Sequence, residues 1–221
     1  RFLKLWNGAG QHLRDFPDHP STIADIAWQP RALFFATAAY GQLANYHAEE
    51  STFGKTFAWK GSILVVAWSP DGNYVATGNQ DASVHFWYRK TGRDLEMTGY
   101  PAKIRELAWD AGSRFLATGG SPVVTIWDCG GKGPAGTRPV QLEGHERFLR
   151  ALAYQHKGGL IASGCQGGDV FVWNHRRPQR PLRGAHLGAA ITQIRWAPDD
   201  SLLAASTDEG LVRVFEKSEK E

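Results

Sequence analysis

Five short segments of this chain follow one plan. They are Ile23–Trp28, Ile63–Trp68, Ile104–Trp109, Phe148–Tyr154 and Ile191–Trp196. Each ends on an aromatic residue, and the anchors Trp28, Trp68, Trp109, Tyr154 and Trp196 lie 40, 41, 45 and 42 residues apart. A second series, Tyr46, Trp87, Trp127, Trp173 and Phe215, follows the first by 18 or 19 residues each time. Two aromatic series held in phase across 221 residues mark a repeat. A repeat of this length is one supersecondary unit that buries its apolar surface only against its neighbours.

The local signals within a repeat are all β. Ile63–Trp68 is a nearly continuous apolar run, as expected of a strand covered on both faces. Ser69, Pro70, Asp71 and Gly72 make a turn, in which proline fixes φ and Asp-Gly supports a tight reversal. Tyr74–Gly78 reads as the next strand, Asn79–Ala82 as a turn, Ser83–Trp87 as a third strand and Asp94–Met97 as a weaker fourth. The adjacent apolar pair Phe86 and Trp87 suits a sheet packed on both sides. Four short strands in about 42 residues, with no helical periodicity, predict an all-β protein. The expected architecture is a β-propeller of four-stranded antiparallel blades; an ordinary β-sandwich would not impose the fixed period.

In its motifs the chain resembles the Trp-Asp (WD) repeat propellers along essentially its whole length. The likeness rests on Ala67–Gly72, on Ala76-Thr77-Gly78 with Asp81, on Trp127-Asp128 and on Gly144-His145. It implies a structural chain of hydrogen bonds in each blade, running through a His, a Ser or Thr, an Asp in a turn and a Trp. Here that chain is present in pieces. The second repeat has Thr77, Asp81 and Trp87, with Trp59 in the His register; the fourth has His145, Ser163 and Trp173, with Gly167 in place of the Asp. His19 fits the first repeat, where Tyr40 replaces the acid. The Trp-Asp dipeptide occurs once, and Trp87-Tyr88, Trp173-Asn174 and Phe215-Glu216 stand in its place elsewhere. Blade stability is therefore expected to come mainly from burial.

The spacing divides the chain into a third and fourth strand (1–18), four blades (19–58, 59–99, 100–144 and 145–185), three strands of a last blade (186–216) and a charged tail (217–221). That gives twenty-one strands, whereas a closed ring of such blades takes a multiple of four. The expectation is part of a seven-bladed propeller, closed by its remaining blades or by another chain; a five-bladed ring is the alternative.

Composition narrows the function. Lys+Arg 25 against Asp+Glu 22 gives a net charge of +3, too slight to call for nucleic acid or a membrane surface. No apolar run approaches the roughly 18–20 residues of a membrane-spanning helix. Cys129 and Cys165 cannot build a disulfide framework or a four-thiolate zinc site, so a cytoplasmic setting is expected. The glycine-rich run Gly130–Gly136, with Lys132, lacks the spacing of a phosphate loop and reads as a connection. Cys165 falls where the second strand turns into the third and reads as a small packing residue. The eight histidines, His12, His19, His47, His85, His145, His156, His175 and His186, show no metal spacing in sequence. No catalytic, cofactor or metal residue is expected, and the protein is read as a non-enzyme.

Surface remains. In propellers generally, the residues three and five beyond the His register face one rim. Here they are Thr22 and Ala24, Ser62 and Leu64, Lys103 and Arg105, Phe148 and Arg150, and Ala190 and Thr192. One sector, Lys103, Arg105, Arg147, Phe148 and Arg150, is thus basic with an aromatic, which suits a protein or acidic peptide; solvated rim charge is the plain reading. A second basic run, His175–Arg183, reads as a solvated outer edge with two prolines, the alternative being a contact with an acidic partner or nucleic acid. The resemblance implies a non-catalytic scaffold that binds a partner peptide or domain on its rim. Two alternatives are a sensor propeller of a larger signalling protein and a nucleic-acid-binding propeller.

Overall fold

A computed structural model of the chain describes residues 1–50, 53–131 and 133–216; Lys132 and the expected charged tail 217–221 lie outside the described residues. The described residues hold β-strands and no helix. The chain divides into two units, Arg1–Gly99 and Tyr100–Glu221.

In the first unit the strands are β1 (Lys4–Trp6), β2 (His12–Asp15), β3 (Ile23–Trp28), β4 (Phe34–His47), β5 (Phe53–Trp68), β6 (Tyr74–Asn79), β7 (Val84–Tyr88) and β8 (Asp94–Met97). β1 and β2 form a hairpin, and β3 to β8 form one antiparallel sheet in sequence order. Two of these strands are unusually long, and the reason is local. The rings of Phe35 and Tyr46, both in β4, stack with centroids 5.1 Å apart. A straight strand would hold them roughly 36 Å apart at about 3.3 Å per residue, so β4 folds back on itself. Gly41 takes the turn at φ 84°, a conformation that costs glycine little. The first half of β4 pairs with β3 and the second with β5. β5 likewise pairs through its beginning with β4 and through its end with β6. It is both the last strand of one repeat and the first of the next.

In the second unit β9 (Leu107–Trp109), β10 (Phe115–Thr118), β11 (Val124–Asp128) and β12 (Val140–Leu142) form one four-stranded sheet. β13 (Leu149–Tyr154), β14 (Leu160–Cys165), β15 (Asp169–Asn174) and β16 (Arg183–His186) form another. β17 (Ile191–Trp196), β18 (Leu202–Thr207) and β19 (Val212–Glu216) form a three-stranded sheet. All pairings are antiparallel.

The anchors of the first aromatic series occupy equivalent places. Trp28, Trp68, Trp109, Tyr154 and Trp196 each end a first strand, opposite Phe35, Val75, Leu116, Ile161 and Leu203. Burial is less uniform than register: Trp68 and Tyr154 are buried while Trp28 is exposed. In the second series Tyr46, Trp87 and Trp173 are buried, but Trp127 and Phe215 are only half-buried.

The core lies between sheets. Val124, Ile126 and Leu142 of one sheet pack with Leu149, Leu152, Ile161 and Trp173 of the next. Ala151, Ala162 and Val170 pack with Ile191, Ile194 and Leu203. Burying one such aliphatic side chain contributes about 1.5–3 kcal/mol. Polar ties reinforce the second contact. The Asp200 carboxylate accepts the backbone N–H groups of His156, Lys157 and Gly158 at 2.7, 2.8 and 3.0 Å, and Trp196 Nε1 donates to the Ala153 carbonyl at 3.0 Å.

Candidate functional site

Each repeat carries a column of three side chains, set by a residue 18 positions before the middle of the second strand. In the fourth repeat His145 Nε2 lies 2.7 Å from Ser163 Oγ, and Trp173 Nε1 donates to the same oxygen at 2.7 Å. Burial holds the His145 imidazole neutral, lowering its pKa to about 4. In the third repeat Tyr100 takes the histidine's place. Trp127 Nε1 donates to the Tyr100 hydroxyl at 2.8 Å, and that hydroxyl lies 2.8 Å from Thr118 Oγ1. Because the Thr118 hydroxyl donates to the Thr125 carbonyl, Tyr100 is the donor to Thr118. In the first repeat His19 Nε2 lies 3.1 Å from Thr37 Oγ1.

The second repeat departs from its expected chain. Thr77 donates to Asn79 Oδ1, Asn79 Nδ2 donates to Ser83 Oγ, and Ser83 donates to Asp81 Oδ1, at 3.1, 3.0 and 2.7 Å. Trp59 and Trp87 meet the ring of His85 instead, at centroid distances of 3.9 and 4.7 Å. The fifth repeat has Leu187, Ala205 and Phe215 in the three places. Asn79, Ser83 and Tyr100 carry no role in the sequence reading, and His85 enters it only as one of the scattered histidines. The constant interval of 18 was the signal for Tyr100; no sequence signal marks the other three.

At the heads of the first strands the register slips. β-bulges fall between Ile23 and Asp25, Ile63 and Val65, Leu149 and Ala151, and Ile191 and Gln193. The extra residues are Ala24, Leu64, Arg150 and Thr192. A bulge bends its strand and re-aims the side chain it carries. Lys103, Arg105, Arg147, Phe148 and Arg150 are all exposed, and Phe148 is 38% exposed. Two features differ from the simple alternation of a strand. Lys103 and Arg105 precede β9 in irregular backbone, flanking the buried Ile104. The sector also contains acid: Glu106 accepts the Gly120 N–H at 3.3 Å. Burial raises its pKa, while the Gly120 hydrogen bond and the nearby Arg150 act in the other direction. Glu143 and Glu146 are exposed alongside Arg147.

Arg176, Arg177, Arg180 and Arg183 are exposed at the β15–β16 connection and the start of β16. A groove of about 370 Å³, lined by Val170, Val172, Trp196, Leu203 and Phe215 among others, lies along the sheets β13–β16 and β17–β19. Cys129 and Cys165 are free and buried. Burial pushes the Cys129 thiol up to about 12, so it stays protonated and poorly nucleophilic near neutral pH. Although sequence spacing shows no metal pattern, the fold brings His145, Cys165 and Asp169 together, with one donor atom from each lying within 4.8 Å of the others.

Strand architecture and columns together define a repeat protein of the β-propeller class. A family model for the WD domain, G-beta repeat, matches residues 51–88, 136–174 and 177–216, more than half of the chain. The chain belongs to the WD-repeat family. It is 26% identical over 183 residues to the "Probable cytosolic iron-sulfur protein assembly protein 1" of Mycosarcoma maydis, covering 73% of this chain and 37% of that protein. It is 25% identical over 170 residues to Protein HIR1 of Cryptococcus neoformans, covering 66% and 19%. It is 28% identical over 147 residues to Protein FIZZY-RELATED 3 of Arabidopsis thaliana, covering 66% and 30%. The chain thus spans well under half the length of these curated relatives.

Proposed function

We propose that this chain is a non-catalytic interaction scaffold that holds an acidic protein segment against Lys103, Arg105, Arg147, Phe148 and Arg150. The observation that carries this reading is the bulge at Arg150. Equivalent bulges present Ala24, Leu64 and Thr192; only here does the re-aimed side chain carry charge, with exposed Phe148 two residues before it. Arginine gives a carboxylate or phosphate paired hydrogen bonds, and an exposed aromatic gives an apolar anchor. Interspersed Glu106, Glu143 and Glu146 break the continuous cationic surface that a nucleic-acid backbone requires, which favours a peptide. The relatives' names, an assembly protein among them, are in keeping with scaffold work. Two free, buried cysteines suit a reducing compartment, and we place the protein in the cytoplasm.

The test is the double variant Arg105→Gln with Arg150→Gln, which removes both charges without setting a second carboxylate beside Glu106. Exposed substitutions cost about 0.5 kcal/mol or less, so unfolding should be nearly unchanged. Capture of acidic partners from the native lysate should fall by more than about tenfold, and more steeply at low salt. Recovery of the same partners in the same amounts would make this sector a solvated rim.

A further inference from the structure

We infer that His145, Cys165 and Asp169 form a binding site for a divalent metal ion of the zinc class. The three lie 20 and 4 residues apart in sequence; the turn between β14 and β15 brings the latter two to His145. Their donor atoms fall within 4.8 Å of one another. Cys165 Sγ and Asp169 Oδ2 are 3.7 Å apart, already at the roughly 3.4–3.8 Å that separates neighbouring ligands around a tetrahedral zinc ion.

A second observation concerns the same imidazole. His145 is 7% exposed. Ser163 engages its Nε2, while Nδ1 is buried and has no hydrogen-bond partner among the described residues. A buried polar nitrogen left unpaired is costly. Gly167, at the turn, has no side chain with which to satisfy it.

The donor set also matches the ion. Imidazole nitrogen, thiolate sulfur and carboxylate oxygen are the three zinc ligand types. One thiolate and one carboxylate together neutralise a dipositive charge, and binding sends the Cys165 thiol proton to solvent. Supporting groups already orient the ligands. Ser163 fixes the His145 ring from one side and is itself held by Trp173 Nε1. His186 Nδ1 lies 2.9 Å from Asp169 Oδ1, which leaves Oδ2 on the thiol side. Such outer partners set ligand geometry and tune affinity. Protein supplies three ligands, and a water would complete the tetrahedron.

The experiment titrates cobalt(II), the spectroscopic stand-in for zinc, into the full chain after removal of metals by a chelator. One equivalent should bind and produce a thiolate-to-cobalt charge-transfer band that zinc(II) abolishes. Cys165→Ser should lose the band, and Cys129→Ser, at the other free cysteine, should keep it. His186→Ala changes an exposed residue and leaves folding intact; it should weaken binding about 10–100-fold. Absence of the band from the folded parent would overturn the site, as would a band that survives Cys165→Ser or depends on Cys129. If Cys165→Ser fails to fold, Asp169→Asn decides: unchanged cobalt affinity in that variant equally overturns the site.

Discussion

The β13–β16 sheet and the β17–β19 sheet are neighbouring repeats that solve one problem in opposite ways. In the first, the slot between sheets is filled by His145, Ser163 and Trp173, joined by two hydrogen bonds of 2.7 Å. In the second, the same positions hold Leu187, Ala205 and Phe215, which can only pack. Strand register is nonetheless alike: Leu152 opposes Ser163 and Ile194 opposes Ala205. The fold therefore requires a filled slot at this place and does not require polar chemistry in it. What the hydrogen bonds add is orientation, because a buried polar group is satisfied in only one geometry.

If that is right, the polar column should be the more brittle. Trp173 is fully buried and its N–H is spoken for, so Trp173→Ala should cost about 3–5 kcal/mol and strand Ser163 besides. Phe215 is half-buried, so Phe215→Ala should cost roughly half as much by area. Denaturant unfolding of the two variants gives the comparison directly. Equal losses would mean that both columns rest on burial alone.

A reciprocal exchange comes next in size. Ser163→Ala leaves the Trp173 N–H and the His145 ring without their shared partner, at a cost of about 1–3 kcal/mol. Ala205→Ser places a hydroxyl among Leu187, Phe215 and their apolar neighbours, and should also destabilise, by a similar order. Were Ala205→Ser neutral, the fifth column would have polar partners that its sequence does not suggest.

The aromatic period made most of this architecture legible. It marks where the first strands end, because an aromatic must fill the same space once per repeat. It could not reveal the foldback within β4. Tyr40-Gly41 is a tight reversal that leaves no polar stretch, and pairing of Tyr40 with Ser62 carries the strand through it. The bulges were equally hidden, since an extra residue at Arg150 or Thr192 looks like any other strand residue until register is known. Trp59 falls in the His register by spacing, and its contact with His85 depends on strand pairing. The cluster of His145, Cys165 and Asp169 was invisible for a similar reason. Spacing reports metal sites made within one turn or helix, and this one is made across a loop, a strand and a turn.

The smallest expected effect separates the first column from the third by pH. Burial lowers the pKa of His19 from its ordinary value, so the unfolded chain takes up the proton more readily than the folded one. The contribution of His19 is therefore fully present above about pH 6.5 and is lost as pH falls below it. Burial instead raises the pKa of Tyr100, against its bonds to Thr118 and Trp127. The unfolded chain then ionises first, and the Tyr100 contribution, complete below about pH 10, is lost only as pH rises beyond that. Between about pH 7.5 and pH 5 the third column should be insensitive and the first sensitive. His19→Gln keeps a hydrogen-bonding side chain near Thr37 and removes the titration, while Tyr100→Phe removes a hydroxyl that does not titrate in this range. Urea midpoints at the two pH values should fall less for His19→Gln than for the parent, the other histidines contributing equally to both. For Tyr100→Phe the fall should match the parent's. An identical acid response in parent and His19→Gln would place the His19 ring in water, and the first column would then be a packing arrangement like the fifth.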